Sequence, residues 1–265
     1  MSEKMDITHA FGWQIDKGMK RPRNEDSLAA IKVRQAHEDD TRSLGIYAVA
    51  DGIGGESGGA KASKLAIETA MSEMLTHIHE DATGEEVKVW LYNAAIMAHQ
   101  LILRLKKIKD EEVGGTTLTM AAVIDNQVHV ANIGDSRTYL IRNGQLRQIT
   151  QDHTVAQRFV DEGIITAEEA IDHPYSHVLS QAIGGDAKLT PDVFTETVNP
   201  GEFIMLCTDG LYNNVSAKDI VQIVRDAETP SLASQQLTQA ANEAGGSDNI
   251  AVIVVAIRKR DSNPA

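Results

Sequence analysis

The sequence predicts an α+β fold: two mostly antiparallel β-sheets packed face to face and flanked by helix pairs, a four-layer αββα sandwich. Three observations predict it. Short Val- and Ile-rich runs bounded by Gly, Asp and Asn recur along the 265 residues as strands, most of them joined in hairpins. Two separate pairs of amphipathic helical stretches interrupt them. Runs such as Ile250–Ile257 are apolar at nearly every position, as strands covered on both faces must be.

Taken in order, strands are expected at Phe11–Ile15, Ser27–Val33 and Leu44–Ala50, separated by polar turns. A helix from about Ala60 to Ile78 places Ile67, Met71, Met74 and Ile78 on one face. The next helix opens on a capping box, Thr83 with Glu86, and carries Val87, Leu91, Ala94, Ala98, Leu101, Leu105 and Ile108 at alternating steps of four and three. That spacing resembles a coiled-coil heptad, but the run is short and its alanines favour packing on a sheet. From Thr116 to Thr150 the period becomes two. Asp125-Asn126 and Asn143-Gly144 mark hairpin turns, which predicts a meander of four antiparallel strands. The polar segment Gln151–Asp186 follows, with a short helix ending at Gly163 and a second capping box, Thr166 with Glu169. Strands resume at Asp192–Val198 and Phe203–Cys207. Two helices begin near the N-cap candidates Ser216 and Ser231, and a last strand leads into a frayed charged tail, residues 258–265.

With 42% hydrophobic residues and no Pro- or Ser-rich linker, one domain over residues 1–265 is expected. The net charge of −13 gives no electrostatic footprint for nucleic acid or an anionic membrane. A single cysteine, Cys207, lies in an apolar run and reads as a buried structural thiol in a reducing compartment. No apolar stretch is long enough to span a bilayer, and Met1–Asp6 lacks a signal-peptide core, so a soluble cytoplasmic monomer is expected.

The chemistry is written at the ends of the strands. Four apolar runs stop at, or start from, an aspartate in a small-residue turn: Asp51-Gly52, Gly134-Asp135, Asp209-Gly210 and Ser247-Asp248-Asn249. Each alone reads as a turn, because Gly takes positive φ and Asp bonds its own backbone. Four together, with the pair Glu25-Asp26 upstream, suggest carboxylates converging on one point. Such a cluster repels itself unless cations sit within it, and an all-oxygen donor set suits hard divalent ions rather than zinc.

The ordered set Arg21…Glu25-Asp26, Asp51-Gly52-Ile53-Gly54-Gly55, Gly115-Thr116-Thr117, Gly134-Asp135-Ser136-Arg137, Asp209-Gly210-Leu211 and Gly246-Ser247-Asp248-Asn249 resembles the metal-dependent type 2C serine/threonine protein phosphatases, the PPM family, in its compact bacterial branch. The match runs from about Phe11 to Ile257. No motif is specific alone; six in order are.

The resemblance implies two Mg2+ or Mn2+ ions sharing the Asp51 carboxylate and a bridging water. One ion would also take Asp209 and Asp248, the other Glu25 and the Gly52 carbonyl. Asp26 would orient the attacking water, Arg21 would grip phosphate oxygens, and a weaker third ion would use Asp135 with Asp209. The implied reaction is hydrolysis of phosphoserine and phosphothreonine by in-line attack of the metal-bridging hydroxide, opposing a bacterial Ser/Thr kinase. Arg21 suits its part because a planar guanidinium clamps two phosphoryl oxygens as Lys cannot. Cys207 lies outside any loop resembling that of the cysteine phosphatases. The implied partners are phosphorylated proteins.

Three positions depart from the family pattern. Ile53 stands where many eukaryotic members have histidine, leaving a metal-bound water or His177 to protonate the leaving group. Asn213 replaces an acid that some members use for the third ion, and Gln181 replaces a common arginine. Gln151–Asp186 matches the family's flap beside the site and suits substrate selection. A non-catalytic phosphoprotein-binding scaffold and a partner-switching phosphatase of anti-sigma antagonists are the competing readings.

Overall fold

The computed structural model describes residues 7–37, 40–54, 58–79, 81–108, 112–185 and 188–260. Gly55, Asp186, the amino-terminal hexapeptide and residues 261–265, all named above, lie outside them. Among the described residues the strands are β1 (Ile7–Asp16), β2 (Ser27–His37), β3 (Asp40–Ala50), β4 (Gly52–Ile53), β5 (Gly115–Thr116), β6 (Leu118–Ile124), β7 (Gln127–Ile133), β8 (Arg137–Arg142), β9 (Gln145–Gln148), β10 (Asp192–Thr197), β11 (Phe203–Cys207) and β12 (Ile250–Lys259). The helices are α1 (Gly58–Thr76), α2 (Gly84–Leu105), α3 (Val155–Asp161), α4 (Ala167–Ile171), α5 (Asp209–Tyr212), α6 (Ala217–Asp226) and α7 (Pro230–Glu243).

Two five-stranded antiparallel sheets, ordered β1-β12-β11-β8-β9 and β10-β7-β6-β3-β2, face one another. The sequence period explains the layering. In β3, Tyr47 and Val49 enter the core between the sheets, whereas Ile46, Ala48 and Ala50 meet α1 and α2. In β12, Ala251, Ile253 and Val255 face the opposite sheet, and Ile250, Val252 and Val254 meet α6 and α7. Both strands are therefore apolar throughout because both faces are covered. The αββα architecture is as expected.

The four-strand meander is not. Both hairpins form, with Asp125 and Asn143 in the left-handed region at their turns (φ 49° and 53°). However, β6 and β7 belong to one sheet and β8 and β9 to the other. The chain crosses between sheets at Gly134-Asp135-Ser136, which places Asp135 at the seam. Period-two patterning marks strands but carries no information on which sheet each joins.

Both capping boxes form, at Thr83/Glu86 and Thr166/Glu169. Ser216 caps α6 by accepting from the Asp219 N–H. For α7 the cap is Thr229 rather than Ser231, since Pro230 fits the first helical position, where no N–H is needed. The last strand extends to Lys259, so part of the expected frayed tail is ordered strand. No helix among the described residues is long and apolar enough to cross a membrane.

Candidate metal and phosphate site

Strand ends from both sheets open into one cleft of ≈ 1180 Å³. Its walls include Arg21, Glu25, Asp51, Gly52, Ile53, Asp135, His177, Asp209, Asn213 and Asp248. All the expected residues but Asp26 line it directly. Asp26 lies buried just behind, close enough to Asp209 and Asp248 to feel their charge.

Each acid is placed by hydrogen bonds to its backbone or its neighbours. Asp51 leaves β3 between two threonines. Its N–H donates to Thr117 Oγ1 (2.8 Å), while its carbonyl accepts from Thr116 Oγ1 (2.7 Å) and Thr117 N–H (2.9 Å). The Glu25 N–H donates to Asn249 Oδ1 (2.8 Å), and the Glu25 carbonyl accepts from Ser63 Oγ on α1 (2.5 Å). Asn249 Nδ2 donates to the carbonyls of Lys17 and Arg23 (2.8 and 2.9 Å), pinning the Arg21-bearing loop to the start of β12. Thr208 Oγ1 donates to Asp26 Oδ2 (2.8 Å) and accepts from Ala251 N–H (2.9 Å). Tyr212 Oη donates to the Asp135 carbonyl (2.9 Å), and the Arg137 guanidinium lies 3.7 Å above the Tyr212 ring while forking onto Asp152. Sequence reasoning assigned no role to Thr208, Thr117, Asn249 or Ser63. Thr117 and Asn249 stand inside the quoted motifs, and Thr208 directly precedes Asp209, which is all the signal the sequence offers.

The Asp-Gly pairs are not turns built on positive φ. Neither Gly52 nor Gly210 has one. A β-carbon on Gly52 would run into the carbonyl oxygens of Gly59 and Glu25, and one on Gly210 into that of Asn249. Each glycine follows an acid because neighbouring backbones must approach closely for the acids to converge.

The electrostatics are those of crowded like charge. Burial, then the nearby carboxylates of Asp26, Asp209, Asp135 and Asp248, push Asp51 well above the carboxylate range. Burial likewise raises Asp26, against the pull of its Thr208 hydrogen bond. Asp135 is raised to about 7 by burial and Asp209, and Asp209 to about 6 by burial and Asp248. His177 and Arg21 act on Asp209 in the opposite direction.

Arg21 Nη2 donates to Asp248 Oδ2 at 2.6 Å, so the one carries its charge into the cleft on the other. Ile53 is 40% exposed at the cleft. Asn213 Nδ2 donates to Asp209 Oδ2 at 3.4 Å. Gln181 Oε1 accepts from Thr190 N–H and so serves the loop rather than the cleft.

The donor set fits hard divalent ions. It is all oxygen, and Asp26 Oδ1 and Asp209 Oδ1 are buried without a hydrogen-bond partner, each a desolvated acceptor that a cation would satisfy. Among the described residues no three His, Cys, Asp or Glu side chains stand close enough to enclose an ion.

Residues 21–244 match the family model for protein phosphatase 2C. The chain is 32% identical to the serine/threonine phosphatase stp of Listeria innocua, over 92% of this chain and 94% of that protein. It superposes on the S. agalactiae serine/threonine phosphatase with a TM-score of 0.82 at 27% identity, covering 94% of this chain and 99% of the other. It also superposes on the catalytic domain of the serine threonine protein phosphatase PstP, solved in complex with two manganese ions (TM-score 0.75, 30% identity, 95% and 99% covered). On the strength of its αββα frame, its acid-lined cleft and these relatives, the chain belongs to the metal-dependent protein phosphatase 2C family.

Proposed function

We infer that this chain is a metal-dependent protein serine/threonine phosphatase that hydrolyses phosphoserine and phosphothreonine in phosphorylated proteins. The observation that carries the reading is the convergence of Glu25, Asp51, Asp135, Asp209 and Asp248, from distant stretches of sequence, on one cleft that also holds Arg21.

Asp51, Asp209 and Asp248 would hold one Mg2+ or Mn2+ ion, and Glu25, Asp51 and the Gly52 carbonyl another. Asp135 with Asp209 would serve a weaker third, with Asn213 offering an amide where an acid would bind more tightly. When bound, the ions supply positive charge for the phosphoryl oxygens and lower the pKa of water at the site.

Asp26, with Oδ2 committed to Thr208, leaves Oδ1 without a partner and would orient the attacking water. Arg21 exchanges Asp248 for two phosphoryl oxygens as substrate enters, a fork that fits the planar phosphoryl transition state. Water attacks phosphorus in line, the P–O bond to the serine or threonine oxygen breaks, and that oxygen takes a proton. With an isoleucine at position 53, His177 is the cleft side chain able to deliver it.

The substrates are proteins phosphorylated by a bacterial Ser/Thr kinase, or the kinase itself, with the segment 151–186 selecting among them. The full acidic set favours turnover over a phosphoprotein-binding scaffold, and no observation favours the partner-switching reading. The test is phosphate release from a phosphothreonine peptide in excess manganese. The expected release is lost on chelation and in Asp209→Ala. Wild-type protein that releases none overturns the reading.

A further inference from the structure

The far end of the flap segment is tied down in a way that the reaction scheme does not use. His99, in the middle of α2, is 8% exposed on a face otherwise formed by Ala95, Ala98 and Ile102. A polar ring in such a place is unfavourable unless hydrogen-bonded. Its Nδ1 accepts from the Gly184 N–H at 3.0 Å. Two turns further on, at the C-cap that ends α2, Lys106 follows on the same side, and its Nζ donates to the Gly184 carbonyl at 2.6 Å. One helix therefore satisfies both backbone groups of a single loop residue.

The next residue back, Ile183, is fully buried and pairs with Thr116 in both directions, at 3.0 and 2.8 Å. Thr116 in turn donates its hydroxyl to the Asp51 carbonyl at 2.7 Å and pairs with Gly52 in the β4–β5 ribbon. The neighbouring Ala182 forms part of the cleft wall. An unbroken line of hydrogen bonds thus runs from α2 through Gly184, Ile183 and Thr116 to the Asp51-Gly52 backbone.

We propose that His99 and Lys106 are positioning residues for the phosphatase reaction, fixing Ala182 in the cleft wall and, through Thr116, the Asp51-Gly52 backbone. The proposal rests on the phosphatase reading of the cleft. The His99 side of the grip requires a neutral ring with its proton on Nε2. Burial, and then the charge of Lys106, hold its pKa below the usual imidazole value, consistent with that form. Small displacements of such groups are costly, because a shift of about 1 Å at a reacting centre can cost about 100-fold.

The experiment compares wild type, His99→Ala, His99→Asn and Lys106→Met as full-length protein. Three quantities are read: kcat and KM on a phosphothreonine peptide, manganese affinity by calorimetry, and amide hydrogen exchange at Asp51–Ile53. In His99→Ala, kcat and manganese affinity fall about 10-fold with KM little changed, the scale seen when partners behind a metal ligand are lost. Exchange at Asp51–Ile53 speeds up. His99→Asn recovers all three, since Asn Oδ1 takes the acceptor place of Nδ1, and Lys106→Met falls between. A purely structural role would lower the melting temperature and leave kcat, affinity and local exchange alone, and that result overturns the proposal. So does a His99→Asn protein as impaired as His99→Ala. Should His99→Ala not fold, unchanged kcat, affinity and exchange in Lys106→Met overturn it. An inactive wild type instead sinks the phosphatase reading, so the two failures are told apart.

Discussion

On one side of the cleft, Asp51, Asp209 and Asp248 sit at the ends of β3, β11 and β12, each an interior strand of its sheet. Their backbones and neighbours are held by Thr116, Thr117, Thr208 and Asn249 through hydrogen bonds of 2.7–2.9 Å. The other side is the flap, where α3 buries only Ala156 and α4 buries nothing. Its two arms pair with each other through the Thr154–Leu179 bridge and the Ser180 N–H donating to the His153 carbonyl, and it meets the body at its ends, where the His153 N–H donates to the Gly134 carbonyl (2.9 Å) and Ile183 pairs with Thr116. Ile164, Ile171, Tyr175 and Val178 on it are 61, 73, 50 and 45% exposed. One wall crowds charges that repel and must be held by the sheets. The other, outside His177 and its tied-down far end, presents apolar surface to solvent and is free to vary. Chemistry demands fixed placement, whereas recognition of different proteins does not.

The largest effect follows from removing the carboxylate at the centre of the rigid wall. Asp51→Asn should lower kcat/KM by more than about 100-fold, beyond the 10–100-fold typical of partners behind a ligand. The same change should raise the melting temperature of chelator-treated protein, because a buried carboxylate held among others destabilises the fold when charged. A chelator-treated Asp51→Asn protein that melts lower would break the claim that this wall is under electrostatic load. The load has a pH signature. Asp135 and Asp209 are raised to about 7 and about 6 in the folded state, so folding takes up protons there. Their destabilising contribution is full above pH 7, shrinks through pH 7 to 6, and vanishes near the unfolded value of about 4. Calorimetry in chelator should show the melting temperature rising from pH 8 to pH 5, and manganese affinity falling over the same range as protons compete for the ligands.

Next comes Arg21, which belongs to the same wall but is mostly exposed. Hydrogen bonds to charged groups contribute about 1.5–3 kcal/mol, so Arg21→Ala should cost about 10–100-fold in kcat/KM. Its ion pair with Asp248 is solvent-accessible, with Arg21 at 55% exposure, so stability should change by less than about 1 kcal/mol. Arg21→Lys should not restore the rate, because an ammonium cannot fork. Full activity in the lysine variant would assign Arg21 a role in charge alone.

These contrasts also explain what could be read in advance. The longer strands, the capping boxes and the acids at strand ends are local patterns and were legible, whereas the two-residue β4 was not. The splitting of the β6–β9 run between two sheets was not, because it depends on which sheet offers a free edge. The Asp-Gly pairs were legible as sites, but their usual explanation, positive φ, is not the one that operates. Gly52 and Gly210 are small because chains from elsewhere in the sequence press on them. Thr208 and Asn249 were silent for the same reason. Their partners Asp26 and Glu25 lie more than 180 residues away, and nothing at short range marks the contact. The grip of Asn249 on three backbone groups of the 17–25 loop is visible only once the chain has closed.

Thr208 gives a middle-sized effect that tests this. Thr208→Val keeps the shape but strips Asp26 Oδ2 of its donor and Ala251 of its acceptor, both buried. Leaving buried polar groups unpaired should cost about 1–3 kcal/mol, measurable by denaturant titration. A neutral result would mean that Asp26 finds another partner and that the rigid wall is looser than its hydrogen bonds imply.

The smallest effects belong to the flap, and they sharpen the comparison most. Ile171→Ser alters a mostly exposed side chain, so stability should stay within about 0.5 kcal/mol, whereas Tyr175→Ala removes a half-buried ring packed on Phe159 and His173 and should cost about 1 kcal/mol. Hydrolysis of a small aryl phosphate reaches only the acid-bearing wall and should be unchanged in both variants. KM for a phosphoprotein should shift if its flanking residues run across the exposed Tyr175 and Ile171 beside the cleft. The direction depends on the chain presented: loss for a substrate with apolar flanks, little change for one with acidic flanks. Equal loss on the aryl phosphate and the phosphoprotein would show that the flap shapes the acid wall itself, and the division of labour between the two sides would fail.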